Sequence, residues 1–275
     1  MKVEGKQTHS SMPPRESAIG IMANAIAKLE ENRQPSRFGS GPEYDTAAYS
    51  AYYASFGFKM ALSNLWMFSP IVSAIMASDA ATDATQRTTT AITVVDAGFK
   101  ENVVPGEASF IVNHRMHTAD DIDKVLETDR KTIDDDRVKI SVNNFFNPPK
   151  ISPYSSDTIP FQVVANSALD VYGDVGVVPG LLVGNTDTIH YIDLSENIYR
   201  FSPAFLLPED IDRFHGINER ISVKNYNQVI VLFVDLEIMV PYKDYPNGEI
   251  RAIICNSFIY CLLGCRVLLP NPEKC

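Results

Sequence analysis

Apolar residues recur every three or four positions near the start of the chain, and this spacing predicts a helix over residues 14–32. Pro14 marks its beginning, and Asn32 followed by Pro35 marks its end. Before this helix, residues 2–8 alternate weakly between apolar and polar side chains. That alternation predicts a short edge strand.

Two later stretches, residues 88–97 and 108–116, are rich in β-branched side chains. Pro105 and Gly106 lie between them and favour a turn, so the two stretches are expected to form an antiparallel pair.

A second helix over residues 119–132 and a strand over residues 138–146 complete the pattern of the first half. The order over residues 1–146 is then strand, helix, strand, strand, helix, strand. This is the ferredoxin-like order, so we expect an α+β domain here.

Residues 148–157 are rich in Pro and Ser and predict a linker. After it, helices are expected over residues 159–172 and 223–240, with a buried apolar run over residues 175–183 and a polar turn behind it. This succession is typical of an α/β domain, in which the carboxyl edge of a sheet forms sites.

Composition narrows the classes of function. Apolar residues make up 45% of the chain and charged residues 21%, which is typical of a folded domain. The formal charge of -10 disfavours nucleic acid as a partner. No transmembrane span is expected, because Pro70 interrupts an aromatic-rich stretch barely long enough to cross a bilayer.

The chain opens without a secretory signal, and all four cysteines fall within residues 255–275. These two observations leave the compartment open. Residues 242–275 differ in character from the rest, and no predicted element explains this tail.

Three segments carry candidate chemistry: residues 5–14, residues 102–115 and residues 184–191. Their sequences are GKQTHSSMPP, then NVVPGE followed by NHR, and GNTDTIHY. In this order they resemble the zinc aminoacylase and carboxypeptidase family, whose metallopeptidases include carboxypeptidase S. Within it the chain is most similar to the N-fatty-acyl-amino-acid synthase/hydrolases.

The resemblance implies a division of the chain. Residues 1–147 would form a ferredoxin-like lid or dimerisation domain with an aromatic-rich insert at about residues 36–86. Residues 148–241 would be the C-terminal segment of a two-zinc α/β catalytic domain, and residues 242–275 an atypical tail.

The resemblance also assigns roles. His190 matches a histidine that binds one zinc ion, a role that suits a neutral imidazole. His9 matches the lid histidine that reaches across a dimer and polarises the scissile carbonyl. Asn102 and Arg115 match residues that hold the substrate carboxylate and the region of the reacting carbonyl. Without this frame, each side chain has a plain structural interpretation, such as a packed histidine or a surface ion pair.

The other histidines, His114, His117 and His215, are not expected to act in catalysis. The family's remaining zinc ligands and general base, a His-x-Asp pair and an adjacent Glu-Glu among them, have no match apart from Glu30-Glu31 at a helix end. We therefore expect at most partial zinc binding, little hydrolysis by this chain alone, and a fragment that lacks the N-terminal catalytic half.

The resemblance thus implies a metal-dependent hydrolase, and possible reverse synthase, of N-acyl amino acids or peptide C-terminal amide bonds, which forms a homodimer through its lid. The alternative is a non-catalytic dimerisation module. The insert has two interpretations: a helix packed in the lid or at the dimer seam, or an apolar wall for a fatty-acyl chain. Members of the family are often secreted or vacuolar.

Overall fold

The computed structural model describes residues 1–173, 175–182, 186–201, 203–205, 210, 213, 216–239 and 252–255. The chain divides into two compact units. The first unit comprises Met1–Arg37 and Arg87–Pro148, and the second comprises Phe38–Gln86 and Pro149–Cys275. The insert therefore belongs to the second unit, together with the C-terminal part of the chain.

The helices of the described residues are α1 Ala18–Glu31, α2 Pro42–Ser50, α3 Phe56–Leu62, α4 Leu65–Met76, α5 Ala80–Asp83, α6 Ile122–Ile133, α7 Ile159–Tyr172 and α8 Val223–Met239. The strands are β1 Lys2–Glu4, β2 Thr8–His9, β3 Thr89–Ala97, β4 Val103–Val104, β5 Glu107–Arg115, β6 Val138–Lys139, β7 Asn197–Arg200 and β8 Ala252–Cys255. Two 3₁₀ turns cover Ala51–Tyr53 and Asp187–His190.

The first unit contains a four-stranded sheet of order β3-β5-β1-β6, in which every neighbouring pair is antiparallel. Together with α1 and α6, this order confirms the ferredoxin-like topology. The predicted pairing of β3 with β5 is also confirmed. The prediction of an edge strand at residues 2–8 is wrong about its position in the sheet, because β1 is an inner strand between β5 and β6. Alternation predicts a strand, but its neighbours are set by segments far along the chain.

Helix α1 begins later than predicted, because the Ser17 hydroxyl caps it by accepting the backbone N–H of Gly20. Pro14 therefore precedes the helix. The buried side chains of α1 are Ala18, Ile21, Met22, Ala25 and Leu29. They pack with Val3, Phe110 and Ile133 in one core cluster, which buries one face of the sheet.

The predicted strand over residues 138–146 is shorter in the structure, where β6 spans Val138–Lys139. Its partner β1 has three residues and pairs with it only through Lys2 and Val3. Because a ladder needs residues on both sides, the short β1 limits β6.

In the second unit, α7 confirms the predicted helix over residues 159–172, and α8 confirms the last helix to within one residue. Val164, Ala168, Phe201, Leu232 and Leu236 form the core cluster between them. Strands β7 and β8 pair in parallel.

The apolar run over residues 175–183 is not a strand in its described part, residues 175–182, although Val178 is buried. The run packs against the insert instead. The Thr46 hydroxyl donates to the Pro179 carbonyl oxygen at 2.6 Å. The Tyr53 ring lies so close to Gly176 that a Cβ there would clash with it. Val183, and all of the tail outside Ala252–Cys255, lie outside the described residues.

Within the part of the chain that the structure describes, none of the helices has the length and apolarity needed to cross a membrane.

Candidate functional site

His9 lies on an exposed turn of the first unit. Strand β2 pairs antiparallel with β4 and places His9 opposite Val103. The next backbone N–H, that of Ser10, donates to the Asn102 carbonyl oxygen at 3.0 Å. The structure thus brings two of the predicted site residues together in what we call the His9 corner, formed by His9, Ser10, Ser11 and Asn102.

The His9 ring is held by the residue two positions along the chain. Its Nδ1 accepts the backbone N–H of Ser11 at 3.1 Å and lies 2.8 Å from the Ser11 hydroxyl oxygen. The backbone N–H of Met12 donates to the His9 carbonyl oxygen at 2.9 Å and closes the turn. Both His9 and Asn102 are exposed, so this corner is accessible to a ligand.

Arg115 is the last residue of β5, where it pairs with Thr89, and its side chain is exposed. Strand β4 precedes the other end of β5, at Glu107. Eight steps of about 3.4 Å separate the two ends of β5 by roughly 27 Å. The structure therefore does not bring Arg115 to the His9 corner within one chain.

His190 is exposed at the end of the 3₁₀ turn Asp187–His190. The turn is fixed by the buried Thr188, whose hydroxyl accepts the Arg200 Nε–H at 2.8 Å and lies 2.6 Å from the Thr186 hydroxyl oxygen. Gly184 and Asn185, which belong to the same motif, lie outside the described residues, as does His215.

The fit of a zinc ion can be tested on the donor atoms that surround His190. Among residues with described positions, no group of three or more His, Cys, Asp or Glu side chains is arranged to hold a metal ion. Zinc sites in proteins use three or four such ligands. The described part of the chain thus supplies one imidazole and does not complete a zinc site.

A buried polar network in the first unit was not predicted from the sequence. Asp129 accepts the Gln34 side-chain N–H at 2.9 Å through Oδ1, and its Oδ2 lies 2.9 Å from His114 Nε2. Asp120 accepts the Arg37 Nε–H at 2.7 Å and the Thr88 hydroxyl at 2.6 Å.

This network lies where the chain passes between the units, since the first unit ends at Arg37 and resumes at Arg87. We call it the crossing clamp, formed by Gln34, Arg37, Arg87, Thr88, His114, Asp120 and Asp129. Arg87 belongs to it because its guanidinium donates to the Gln34 carbonyl oxygen at 2.6 Å. The sequence signal for the clamp is Asp129, a charged residue at helical spacing between the buried Val125 and Ile133.

The second unit contains a polar contact between the insert and Tyr154, which lies within the segment predicted as a linker. The Tyr154 hydroxyl donates to Asp45 Oδ2 at 2.5 Å. Burial, and then the hydrogen bond to Asp45, raise the pKa of Tyr154 above its usual range. The phenol therefore stays protonated and remains a donor to the carboxylate.

Helices α3 and α4 of the insert carry apolar side chains that face solvent. At least half of each residue is exposed, and the exposed fractions of Phe56 and Trp66 are 79% and 78%. These residues, which we call the apolar face, are Phe56, Phe58, Met60, Trp66, Met67, Ile71 and Ile75. Lys59 is the only charged residue between positions 46 and 78. A patch of this kind is typical of a surface that binds an apolar ligand or a partner.

Comparison with known proteins finds a family match that covers the insert as well as most of the first unit. A family profile described as the peptidase dimerisation domain matches residues 1–139, which includes the His9 corner and Arg115.

Relatives match over more of the chain. The N-fatty-acyl-amino acid synthase/hydrolase PM20D1.1 of Danio rerio is 44% identical over 83% of this chain and 44% of its own length. The PM20D1 of Mus musculus is 42% identical over 86% of this chain and 47% of its own length. The probable carboxypeptidase S-like 2 of Dictyostelium discoideum is 40% identical over 83% of this chain and 43% of its own length. The chain spans about half the length of these relatives.

Proposed function

Because the chain belongs to the M20 aminoacylase and carboxypeptidase family of metal-dependent peptidases, we propose that it supplies the dimerisation domain and part of the substrate site of a hydrolase. The substrate we propose is an N-acyl amino acid or the C-terminal amide bond of a peptide. The observation that carries this proposal is the matched dimerisation domain with His9 and Asn102 together on one exposed corner.

The roles follow from the chemistry of each side chain. Arg115 binds the substrate carboxylate, because a guanidinium offers two parallel donors to a carboxylate. Asn102 donates to the region of the reacting carbonyl, and His9 donates to the carbonyl oxygen as negative charge develops there. His190 is the residue that we assign to a metal ion, and the ion's further ligands lie outside the described set.

The separation of about 27 Å along β5 limits how these residues act. The carbonyl and the carboxylate of an N-acyl amino acid are only a few bonds apart. One substrate therefore does not reach Arg115 and the His9 corner of the same chain. We propose that Arg115 acts in one protomer, and His9 and Asn102 in its partner, across a two-fold dimer.

The apolar face suits the acyl part of such a substrate. Its side chains offer apolar area without charge, and burial of an acyl chain against them is favourable by about 25 cal/mol per Å². The names of the relatives from Danio rerio and Mus musculus contain a fatty-acyl amino acid. We propose a long acyl chain as the ligand of the apolar face. Packing at the dimer seam is the alternative.

A second candidate function is a pairing module without catalysis. It is favoured by the family profile itself, which describes a dimerisation domain and ends at residue 139. Binding of N-acyl amino acids separates the two candidates, because a pairing module forms dimers without binding them.

The test uses the purified 275-residue chain in a calorimetric titration with an N-acyl amino acid. We expect saturable binding that Arg115→Ala weakens by about tenfold or more, the effect of a lost hydrogen bond to a charged group. Arg130→Ala, an exposed arginine on α6, is the matched control and leaves binding unchanged. Absence of binding in the dimeric wild-type chain would contradict the substrate site and favour the pairing module.

Elemental analysis after dialysis, together with a hydrolysis assay, tests the catalytic part of the proposal. Only His190 matches a zinc ligand of the family, so we expect little zinc and little turnover by this chain alone. Two zinc ions per chain with turnover would show that other residues complete the metal site.

A further inference from the structure

The His9 turn determines more than the position of the imidazole. A neutral imidazole has one N–H, on either Nδ1 or Nε2, and the other nitrogen carries a lone pair. The backbone N–H of Ser11 points at His9 Nδ1 with a nitrogen–nitrogen distance of 3.1 Å. A backbone N–H can only donate, so Nδ1 must hold the lone pair. In the neutral ring the proton is then on Nε2.

Backbone hydrogen bonds of the turn fix the position of the Ser11 N–H relative to the His9 ring. The Ser10 N–H is bound to the Asn102 carbonyl oxygen, and the Met12 N–H to the His9 carbonyl oxygen. The antiparallel pair of β2 and β4 anchors the same residues to the first unit. The Ser11 N–H is thus placed by three backbone hydrogen-bonding contacts and not by a flexible side chain.

The Ser11 hydroxyl has a different character. It lies 2.8 Å from Nδ1, but a hydroxyl can donate or accept and is compatible with both tautomers. The group that selects the tautomer is therefore the backbone N–H.

We propose that Ser11 is a positioning residue whose backbone N–H fixes His9 as a neutral hydrogen-bond donor through Nε2. The ligand class of this donor is a carbonyl or carboxylate oxygen, and its identification with the substrate carbonyl rests on the function proposed above. In this form His9 stabilises negative charge by donation. In this neutral ring the Nδ1 lone pair accepts the Ser11 N–H, so the nitrogen that faces a ligand is the donor Nε2.

Nuclear magnetic resonance of the uniformly ¹⁵N-labelled full chain tests this directly. At mildly alkaline pH we expect the long-range ¹H–¹⁵N pattern of an Nε2-protonated ring for His9, assigned by its loss in His9→Gln. We also expect a scalar coupling between the Ser11 amide nitrogen and His9 Nδ1, which arises only across a hydrogen bond. Protonation of His9 on Nδ1, or absence of the coupling, would overturn the proposal.

A pair of variants tests the selecting group. Ser11→Pro removes the N–H, and we expect the Nδ1-protonated fraction of His9 to rise about fivefold, which corresponds to one net hydrogen bond of about 1 kcal/mol. Ser10→Ala keeps the Ser11 N–H and leaves the tautomer unchanged. An equal tautomer ratio in both variants would contradict the role of Ser11. If Ser11→Pro does not fold, the scalar coupling in the wild-type chain decides.

Binding separates this proposal from the proposed function. The side-chain amide nitrogen of Gln occupies about the same position as His Nε2, whereas that of the shorter Asn corresponds to Nδ1. His9→Gln is therefore expected to keep most of the affinity for an N-acyl amino acid, and His9→Asn to lose about tenfold. If the wild-type chain binds no N-acyl amino acid, the proposed function fails while the tautomer result stands.

Discussion

At the scale of single residues, the Thr188 hydroxyl connects Thr186 and Arg200 and so holds the turn that ends at His190. The side chain is fully buried, so its hydrogen bonds are not replaced by water when they are lost. The Thr188 hydroxyl therefore helps to hold the turn that carries His190, together with the Thr186 hydroxyl, which accepts the Thr188 backbone N–H.

Replacement of this hydroxyl gives the first prediction. Thr188→Val keeps the shape but leaves the partly buried Thr186 and Arg200 with one partner fewer, so we expect a loss of about 1–3 kcal/mol in the free energy of unfolding. Urea denaturation measures it. Thr128→Val, whose hydroxyl donates to a backbone oxygen on the outside of α6, is the control and should cost about 0.5 kcal/mol or less. Equal losses in the two variants would contradict a special role for Thr188.

Asp135 is the residue whose titration the structure predicts most clearly. The Arg137 guanidinium, and then the Arg137 backbone N–H, donate to this carboxylate and lower the pKa of Asp135 from 3.8 to about 2. Because the folded-state pKa is lowered, the contribution of Asp135 to stability is present above pH 3.8. It is lost as the pH falls through about 2.

Carboxyl ¹³C titration checks this second prediction. In Arg137→Ala we expect the pKa of Asp135 to rise back towards its ordinary value, because both side-chain donors are gone. Asp121 is the internal control. Its pKa is lowered by hydrogen bonds from Lys124 of α6 and not by Arg137, so it should titrate as in the wild-type chain. An unchanged Asp135 titration would show that another group lowers its pKa.

At the scale of elements, the crossing clamp ties the two places where the chain leaves and re-enters the first unit to Asp120, which precedes α6, and to Asp129, which lies within α6. Asp120 holds Arg37 and Thr88, and Asp129 holds Gln34. Both carboxylates are buried, so the loss of either leaves its donors in a place of low solvent access.

The third prediction concerns this clamp. Asp120→Ala should lower the free energy of unfolding by about 2–3 kcal/mol, somewhat less than the roughly 3–5 kcal/mol typical of a fully buried ion pair. The expected loss is this small because 30% of the Arg37 side chain is exposed, so water partly replaces the lost carboxylate. The matched control is Asp123→Ala, an exposed aspartate near the start of the same helix, with an expected loss of about 0.5 kcal/mol or less. If Asp120→Ala lost no more stability than this control, Arg37 and Thr88 would have found other partners.

The apolar face gives the fourth prediction. Trp66→Ser should weaken binding of an N-acyl amino acid with a long acyl chain by about tenfold and leave binding of a short-chain one unchanged, because a short acyl chain offers little apolar area to bury against the indole. Phe99→Ser, an exposed aromatic residue of the first unit, is the control. A loss that is independent of chain length would refute the acyl contact.

The elements themselves show what the sequence determines locally. The β3–β5 pair and α7 were predicted closely because β-branched runs and helical spacing are properties of neighbouring residues. The position of β1 and the shortness of β6 depend on partners far along the chain, so alternation alone did not predict them. The same holds for the clamp, since Asp120 and Asp129 meet residues 34–37 only after folding.

The candidate site follows the same division. His9 and Asn102 were predicted as separate motif residues, and the pairing of β2 with β4 brings them together. Their distance from Arg115 follows from the length of β5. A comparison of motif residues alone does not reveal such a distance. The roles of all four site residues stay predictions.

At the scale of the whole molecule, dimer formation has a candidate edge. Strand β3 is nine residues long and lies at one end of the sheet order, with Val94 and Val95 about half exposed. The opposite edge, β6, has two residues. A long edge strand whose single charge, Asp96, lies near one end is a template for pairing with another strand, so we propose that two copies pair through β3.

The fifth prediction tests this edge by sedimentation equilibrium at micromolar concentration. The wild-type chain should sediment with twice its mass of 30.5 kDa, and Val95→Lys with the mass of the monomer, because a charge at the edge opposes strand pairing. Val142→Lys, an exposed valine beyond β6, should remain dimeric. Dissociation by Val142→Lys alone would place the interface at the other edge.

Complementation between two variants tests the central claim most directly, namely that partner protomers build the substrate site together. Arg115→Ala and His9→Ala are each expected to weaken binding of an N-acyl amino acid by about tenfold or more, so neither variant alone is saturated at a concentration that just saturates the wild-type chain. After exchange of protomers, half of the dimers are mixed, and each mixed dimer has one intact site. We therefore expect binding to return to about a quarter of the wild-type number of sites. No return of binding, in mixtures shown to contain mixed dimers, would contradict a site shared between protomers.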